Sequence, residues 1–176
     1  MNRRTFLGRA LALAPLLVLS SPCTLLARIE ERTLSFYHTH TFKELSLVYF
    51  RNGRYIPKAL NKINHFLKDF RTGDIHPIDV ALLDLLHDIR RATGSKHFFE
   101  VISGYRSPQT NSMLQDSSNG VASHSLHMTG KAIDIRLPSF NTGRLHQIAL
   151  GFQRGGVGFY PQSDFIHIDT GDVRFW

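Results

Sequence analysis

Apolar positions along this chain follow two rhythms, and the change from one to the other marks its elements. The stretches Thr33–His38 and Leu45–Phe50 are rich in β-branched and aromatic residues and read as two strands. Arg51-Asn52-Gly53 closes the second, because Asn-Gly tolerates the positive φ that a tight turn needs. At Pro57 the spacing becomes helical. Proline can open a helix, since its missing N–H has no partner in the first turn. Leu60, Ile63, Leu67 and Phe70 then form one apolar stripe, with His65 and the lysines off it. Pro77 reads as the start of a second helix, with Ile78, Leu82, Leu85, Leu86 and Ile89 on one face and Gly94 as its stop.

The second half of the chain returns to extended structure. Phe98–Ser103 reads as a strand that delivers the turn Gly104-Tyr105-Arg106. Ser107-Pro108 caps a helix over Thr110–Leu114, and residues 115–120 read as a polar loop bordering a groove. Residues 131–137 form a strand with Ile133 and Ile135 on one face. Asn141 or Thr142 caps a helix whose Leu145, Ile148, Ala149 and Phe152 face inward. Gly155-Gly156 ends it, and Val157–Tyr160 returns as a strand. In Asp164–Asp169, alternation points Ile166 and Ile168 one way and Phe165, His167 and Asp169 the other. Strands at both ends with helices between predict an α+β domain: a small antiparallel sheet flanked by helices.

Candidate chemistry gathers on two of these strands. His127 and Asp134 are seven residues apart with Gly130 between them. On a continuous helix that spacing separates them by ~10 Å along the axis. Both can reach one metal ion only if the chain folds back, which Gly130 permits. Asp134 then lies among apolar neighbours, where an unpaired carboxylate is costly and a metal compensates it. His167 is the candidate third ligand. Two imidazoles and one carboxylate leave a fourth zinc position open for water, the pattern of a catalytic site and not a closed structural one. Spacing alone equally allows two hydrogen-bonded histidines and an ordinary polar strand residue. His38 and His40 are also close in sequence and read as solvated or supporting side chains.

The start of the chain adds an address. Met1–Gly8 is basic and contains the pair Arg3-Arg4, and an apolar run from Ala10 to Leu19 follows. That run is too short for a stable membrane span and suits a secretory signal. The arginine pair points to the twin-arginine route into the periplasm, with a cut near Ala27 and a working domain over residues 28–176. An uncleaved anchor is the other reading. Pro22 before Cys23, the one cysteine, argues against lipid attachment, and the processed chain needs no disulfide. Removing Arg3, Arg4 and Arg9 takes the net charge from +7 to +4. A basic surface suits an anionic polymer such as the cell wall, or is simply a solvated face. No nucleic-acid recognition motif occurs.

One resemblance sharpens this picture. Ser125-x-His127-x-x-Gly130-x-Ala132-x-Asp134 resembles the zinc signature of the LAS metallopeptidases, which include D-alanyl-D-alanine peptidases and, distantly, hedgehog domains. Ser103-Gly-Tyr-Arg-Ser107 is similar to a second motif of that family. Gly155-Gly-Val-Gly-Phe-Tyr-Pro161 and Phe165-Ile-His-Ile-Asp-Thr-Gly171 resemble the murein endopeptidase K branch. The resemblance implies the hedgehog/D-Ala-D-Ala metallopeptidase-like fold. It implies one Zn²⁺ per chain on His127, Asp134 and His167. It gives Arg106 the task of steadying an oxyanion or a substrate carboxylate. The general base is expected at Asp169 or Asp164, with His124 as an accessory group and Ser125 supporting the zinc loop. The implied partners are peptidoglycan peptide stems, cut at 3-3 links between meso-diaminopimelate residues. The implied protein is a periplasmic monomer without a stable membrane partner after processing. Two alternatives stand beside it: a D-alanyl-D-alanine carboxypeptidase, and a zinc-containing wall-binding module without turnover.

Overall fold

The computed structural model describes residues 30–117 and 121–176. The expected signal segment over 1–27 and the tip of the polar loop at 118–120 lie outside the described residues. The strands are β1 (Glu31–His38), β2 (Glu44–Arg51), β3 (Arg54–Tyr55), β4 (Phe99–Ser103), β5 (Ala132–Arg136), β6 (Gly156–Tyr160), β7 (Phe165–Asp169) and β8 (Arg174–Phe175). The helices are α1 (Pro57–Phe66), α2 (Val80–Thr93), α3 (Pro108–Ser117) and α4 (Thr142–Gly151).

The strands form one eight-stranded sheet in the order β3-β2-β1-β4-β5-β7-β6-β8. The expected small antiparallel sheet is corrected on both counts. The sheet is larger, and β1–β4 and β6–β8 are parallel pairs. The first follows from connectivity, since helices separate β1 from β4 and a helical crossover returns the chain in the same direction. The second strand of that other pair, β8, is too short to register as a pattern.

Three helices also differ from expectation in their boundaries. α1 ends at Phe66, with Leu67 as its cap, because Asp69 draws the chain into a turn. Asp69 Oδ1 accepts the N–H groups of Arg71 (2.8 Å) and Thr72 (3.3 Å), so Phe70 leaves the helical stripe. α2 starts after Asp79, whose Oδ1 accepts the Ala81 N–H at 2.9 Å, and Pro77 lies outside it. α3 takes in Gln115–Ser117, which the polar composition had placed in a loop. The Ser107 cap and the Asn141 cap form as expected, accepting the Thr110 and Arg144 N–H groups.

The core lies between the sheet and α1, α2 and α4. Ile63, Leu82, Leu86 and Ile89 are fully buried against Leu34, Phe36, Phe99 and Val101. Each such side chain contributes roughly 1.5–3 kcal/mol of transfer free energy. β5 and β7 run antiparallel with Ile133 opposite Ile168, Asp134 opposite His167, and Ile135 opposite Ile166. The four isoleucines join the core cluster. Alternation therefore sends Asp134 and His167 to the other face. No helix among the described residues is long and apolar enough to cross a membrane.

Candidate metal centre and its cleft

Asp134 and His167 are cross-strand neighbours, so the sheet register alone brings them together. His127 reaches them through the turn that the sequence required. Ser125 caps a short 3₁₀ turn over Leu126–Thr129, its Oγ accepting the His127 N–H at 3.4 Å. Gly130 follows at φ 66°. A Cβ there would collide with the Pro77 carbonyl, so only glycine fits. Lys131 then leads into β5.

Three donor atoms converge. His127 Nε2 lies 3.2 Å from His167 Nδ1 and 3.3 Å from Asp134 Oδ1, and His167 Nδ1 lies 2.9 Å from Asp134 Oδ1. Tetrahedral zinc ligands at ~2.0–2.1 Å from the ion are ~3.3 Å apart, so this spacing fits such an ion. The outer hydrogen bonds fix the chemistry. His127 Nδ1 donates to the Gly104 carbonyl at 2.7 Å, which leaves Nε2 with a lone pair on a neutral ring. His167 Nε2 donates to Asp169 Oδ2 at 3.0 Å, which does the same for Nδ1. Two lone pairs and a carboxylate then face one another in a buried place. A proton or a metal cation has to stand between them. Burial opposes charge on His167, but hydrogen bonds to Asp134 and Asp169 outweigh it and raise its pKa to about 9. Burial likewise opposes charge on Asp134, and the two imidazoles outweigh it, holding the carboxyl far below its usual range.

Above the trio lies a cleft of about 650 Å³. One wall is aromatic. Tyr160 stacks on Phe165 at 4.5 Å, Trp176 Nε1 donates to Tyr160 Oη at 2.9 Å, and the Trp176 ring lies 5.2 Å from that of His167. Arg106 reaches the cleft from the turn after β4, its backbone N–H donating to the His127 carbonyl. Its side chain is 12% exposed and Nη2 stands 3.8 Å from Asp134 Oδ2. Its Nε is buried and, among the described residues, has no hydrogen-bond partner. His124 is exposed on the cleft rim, opposite in character to the aromatic wall.

The two aspartates expected as general base stand elsewhere. Asp169 is 0% exposed and both oxygens are occupied. Oδ1 accepts the Gly156 and Gly171 N–H groups and Arg174 Nη1, while Oδ2 accepts Arg174 Nη2 (2.6 Å) and His167 Nε2. It does not line the cleft itself and meets it through His167 and Arg174, which do. Asp164 is exposed at φ 51°, takes a hydrogen bond from Thr142 Oγ1, and does not line the cleft. His38 is buried against Phe66 and Phe70, away from the trio.

Sequence reasoning missed Arg174 and Trp176. The signal for them lay in the glycines of β6. A Cβ on Gly156 would strike the Asp169 carboxylate and, at 2.7 Å, Arg174 Nη1. A Cβ on Gly158 would lie 2.6 Å from the Trp176 ring. Alternate glycines within a strand mark a close approach by something else.

The trio of His127 from the 3₁₀ turn with Asp134 and His167 from the sheet could hold one metal ion beneath the cleft, beside Arg106. Comparison with known proteins gives the family. The model of the Peptidase_M15_2 family, described as peptidoglycan L,D-endopeptidase MepK, matches residues 27–176. The peptidoglycan L,D-endopeptidase MepK of Escherichia coli (strain K12) is 37% identical over 179 aligned positions, covering 99% of this chain and 97% of that protein. The probable peptidoglycan L,D-endopeptidase MepK of Haemophilus influenzae is 35% identical, covering 99% and 95%. The chain belongs to the Peptidase_M15_2 family and is a peptidase.

Proposed function

We propose that the protein is a zinc-dependent endopeptidase of peptidoglycan, cutting 3-3 cross-links between meso-diaminopimelate residues in the periplasm after twin-arginine export. The observation that supports this reading is the convergence of three lone-pair donors at about 3 Å under an open cleft. The names of the relatives supply the substrate class. His127, Asp134 and His167 hold the ion. When bound, zinc supplies Lewis acidity toward a peptide carbonyl and lowers the pKa of water. Asp169, braced by Arg174, keeps Nε2 of His167 protonated and its ring turned so that Nδ1 faces inward. It is a positioning residue in this reading, and the base role expected for it or for Asp164 is withdrawn, because neither carboxylate faces the cleft. Arg106 lends its positive charge at the cleft wall to the oxygen on which charge develops. The Tyr160–Phe165–Trp176 wall shields that charge from water. His124, on the rim, is the accessory group that exchanges a proton with the leaving amine.

The test is digestion of purified sacculi by residues 28–176, with and without chelator, and identification of the products by mass. Chelator-sensitive conversion of 3-3 dimers to monomers is the expected result. Loss of terminal D-alanine alone would make the protein a carboxypeptidase. Unchanged muropeptides despite bound zinc would leave a wall-binding module.

A further inference from the structure

The first turn of α3 carries a buried amide behind the cleft wall. Asn111 is 2% exposed, and its backbone N–H donates to the Ser107 carbonyl at 2.9 Å. Ser107 is itself fixed, since its N–H donates to Asp69 Oδ2 at 2.8 Å. A polar side chain taken out of water needs partners, and Asn111 has one for each end of its amide. Oδ1 accepts Arg106 Nη1 at 3.4 Å. Nδ2 donates to the Ala122 carbonyl at 3.1 Å. An arginine only donates and a carbonyl only accepts, so these two partners admit one orientation of the amide.

Both partners line the cleft, although Asn111 does not. Arg106 stands on one wall, with Asp134 Oδ2 3.8 Å from its Nη2 and Asn111 on its Nη1. Ala122 belongs to the 121–124 rim segment, which also carries His124. One buried amide therefore joins the cationic side chain to the rim. Other residues of similar size lose something here. Leucine makes neither bond. Aspartate keeps an acceptor for Arg106, but it sets an oxygen against the Ala122 carbonyl and a negative charge against the guanidinium, which weakens the field that reaches the cleft. Asparagine orients the cation and leaves its charge unopposed. One turn further along α3, the exposed Gln115 donates from Nε2 to the Val121 carbonyl at 3.4 Å. It holds the rim without a bond to Arg106.

We propose that Asn111 is a positioning residue: it seats the Arg106 guanidinium against the rim, so that an undiminished positive charge faces a substrate lying between the rim and the metal trio. The choice of substrate rests on the endopeptidase reading above.

The experiment measures kcat and KM of the zinc-loaded protein on a 3-3 cross-linked muropeptide dimer. Asn111→Leu should lower kcat about ten- to a hundredfold, the range for a hydrogen bond to a charged group, with KM changed much less. Asn111→Asp hardly alters the volume and should lose kcat as well; parental kcat in that variant would overturn the proposal. Gln115→Ala should keep the parental kcat. A loss equal to that of Asn111→Leu would mean that the rim bond alone matters, and the role through Arg106 would fall. A cycle with Arg106→Gln separates positioning from general support. In that background Asn111→Leu should cost at most about threefold, because the group it acts through is gone. An equal loss in both backgrounds is a purely structural effect and removes the role. Circular dichroism and zinc content check that each variant is intact, and if Asn111→Leu does not fold, Asn111→Asp takes its place in the cycle. A second measurement needs no turnover: heteronuclear NMR of the zinc-loaded protein follows the Arg106 Nε–H signal and amide exchange at residues 121–124. If the dimer is not cut, the endopeptidase reading fails, and NMR decides alone, as it does if Arg106→Gln is too slow to measure. A shifted Arg106 signal with faster rim exchange in the Asn111 variant keeps the tie, and unchanged spectra remove it.

Discussion

The two faces of the β5–β7 pair are made by the same ten residues in the same register, yet they are held by different physics. On the helical face, Ile133, Ile135, Ile166 and Ile168 are fully buried among other apolar side chains. On the cleft face, Asp134 and His167 meet His127 and depend on a proton or a cation between them. Apolar burial is indifferent to pH and metal, whereas the polar face changes its energy with both. The sheet is thus a fixed platform whose upper surface is conditional.

The strongest way to separate the faces is Asp134→Ala. Lewis acidity worth several kcal/mol disappears with the ion, so peptidase activity should fall by more than roughly a thousandfold. Far-ultraviolet circular dichroism should stay unchanged, because the opposite face is untouched. A variant that loses activity only together with its fold would erase the distinction. Next in size is Ile133→Ala, which should cost about 2–5 kcal/mol in urea unfolding. Its zinc stoichiometry should stay at that of the parent.

The third prediction concerns protons. His167 binds its proton more tightly folded than unfolded, at about 9 against 6.5. Protonation therefore favours the folded metal-free chain. That contribution is complete below about pH 6.5 and is lost as pH rises through about 9, and melting curves of chelated protein should show the decline. Zinc takes the proton's place, so the loaded protein should lack this decline and bind zinc more tightly across the same window. A flat pH profile for the chelated protein would mean that the trio holds no proton. The smallest effect belongs to Asp169→Asn. Removing this support of His167 should weaken zinc about 10- to 100-fold in a competition titration, as expected for the outer partner of a ligating histidine.

Much of the cleft face could be read from the sequence, because it rests on local rules. Strand alternation put His167 and Asp169 together, and Gly130 announced the reversal that lets His127 meet Asp134. Resemblance supplied what spacing left open. Tertiary pairing was not legible in the same way. The parallel β1–β4 contact joins segments separated by two helices, and no local pattern encodes it. Phe70 fits the α1 stripe in sequence, but the Asp69 side chain competes for the backbone and redirects it toward His40. Asp169 drew the base role because the resemblance implied a carboxylate two residues after the third ligand, and alternation placed it on the His167 face. What alternation does not reveal is that Arg174 and two backbone N–H groups occupy its oxygens.

The clasp formed by Arg174 and Trp176 also has a consequence for synthesis and turnover. Both residues follow all three proposed metal-binding positions in the chain, and they dock on the bare backbone of Gly156 and Gly158. A chain ending at Thr170 keeps every proposed ligand and the Gly156 N–H on Asp169, but lacks the Arg174 brace on Asp169 and the Trp176 cover over the His167 ring. A protease that nicks the exposed stretch at Asp172-Val173 would return the mature protein to that state. The residues proposed to hold the ion would all remain, and the centre would lose its support from outside it.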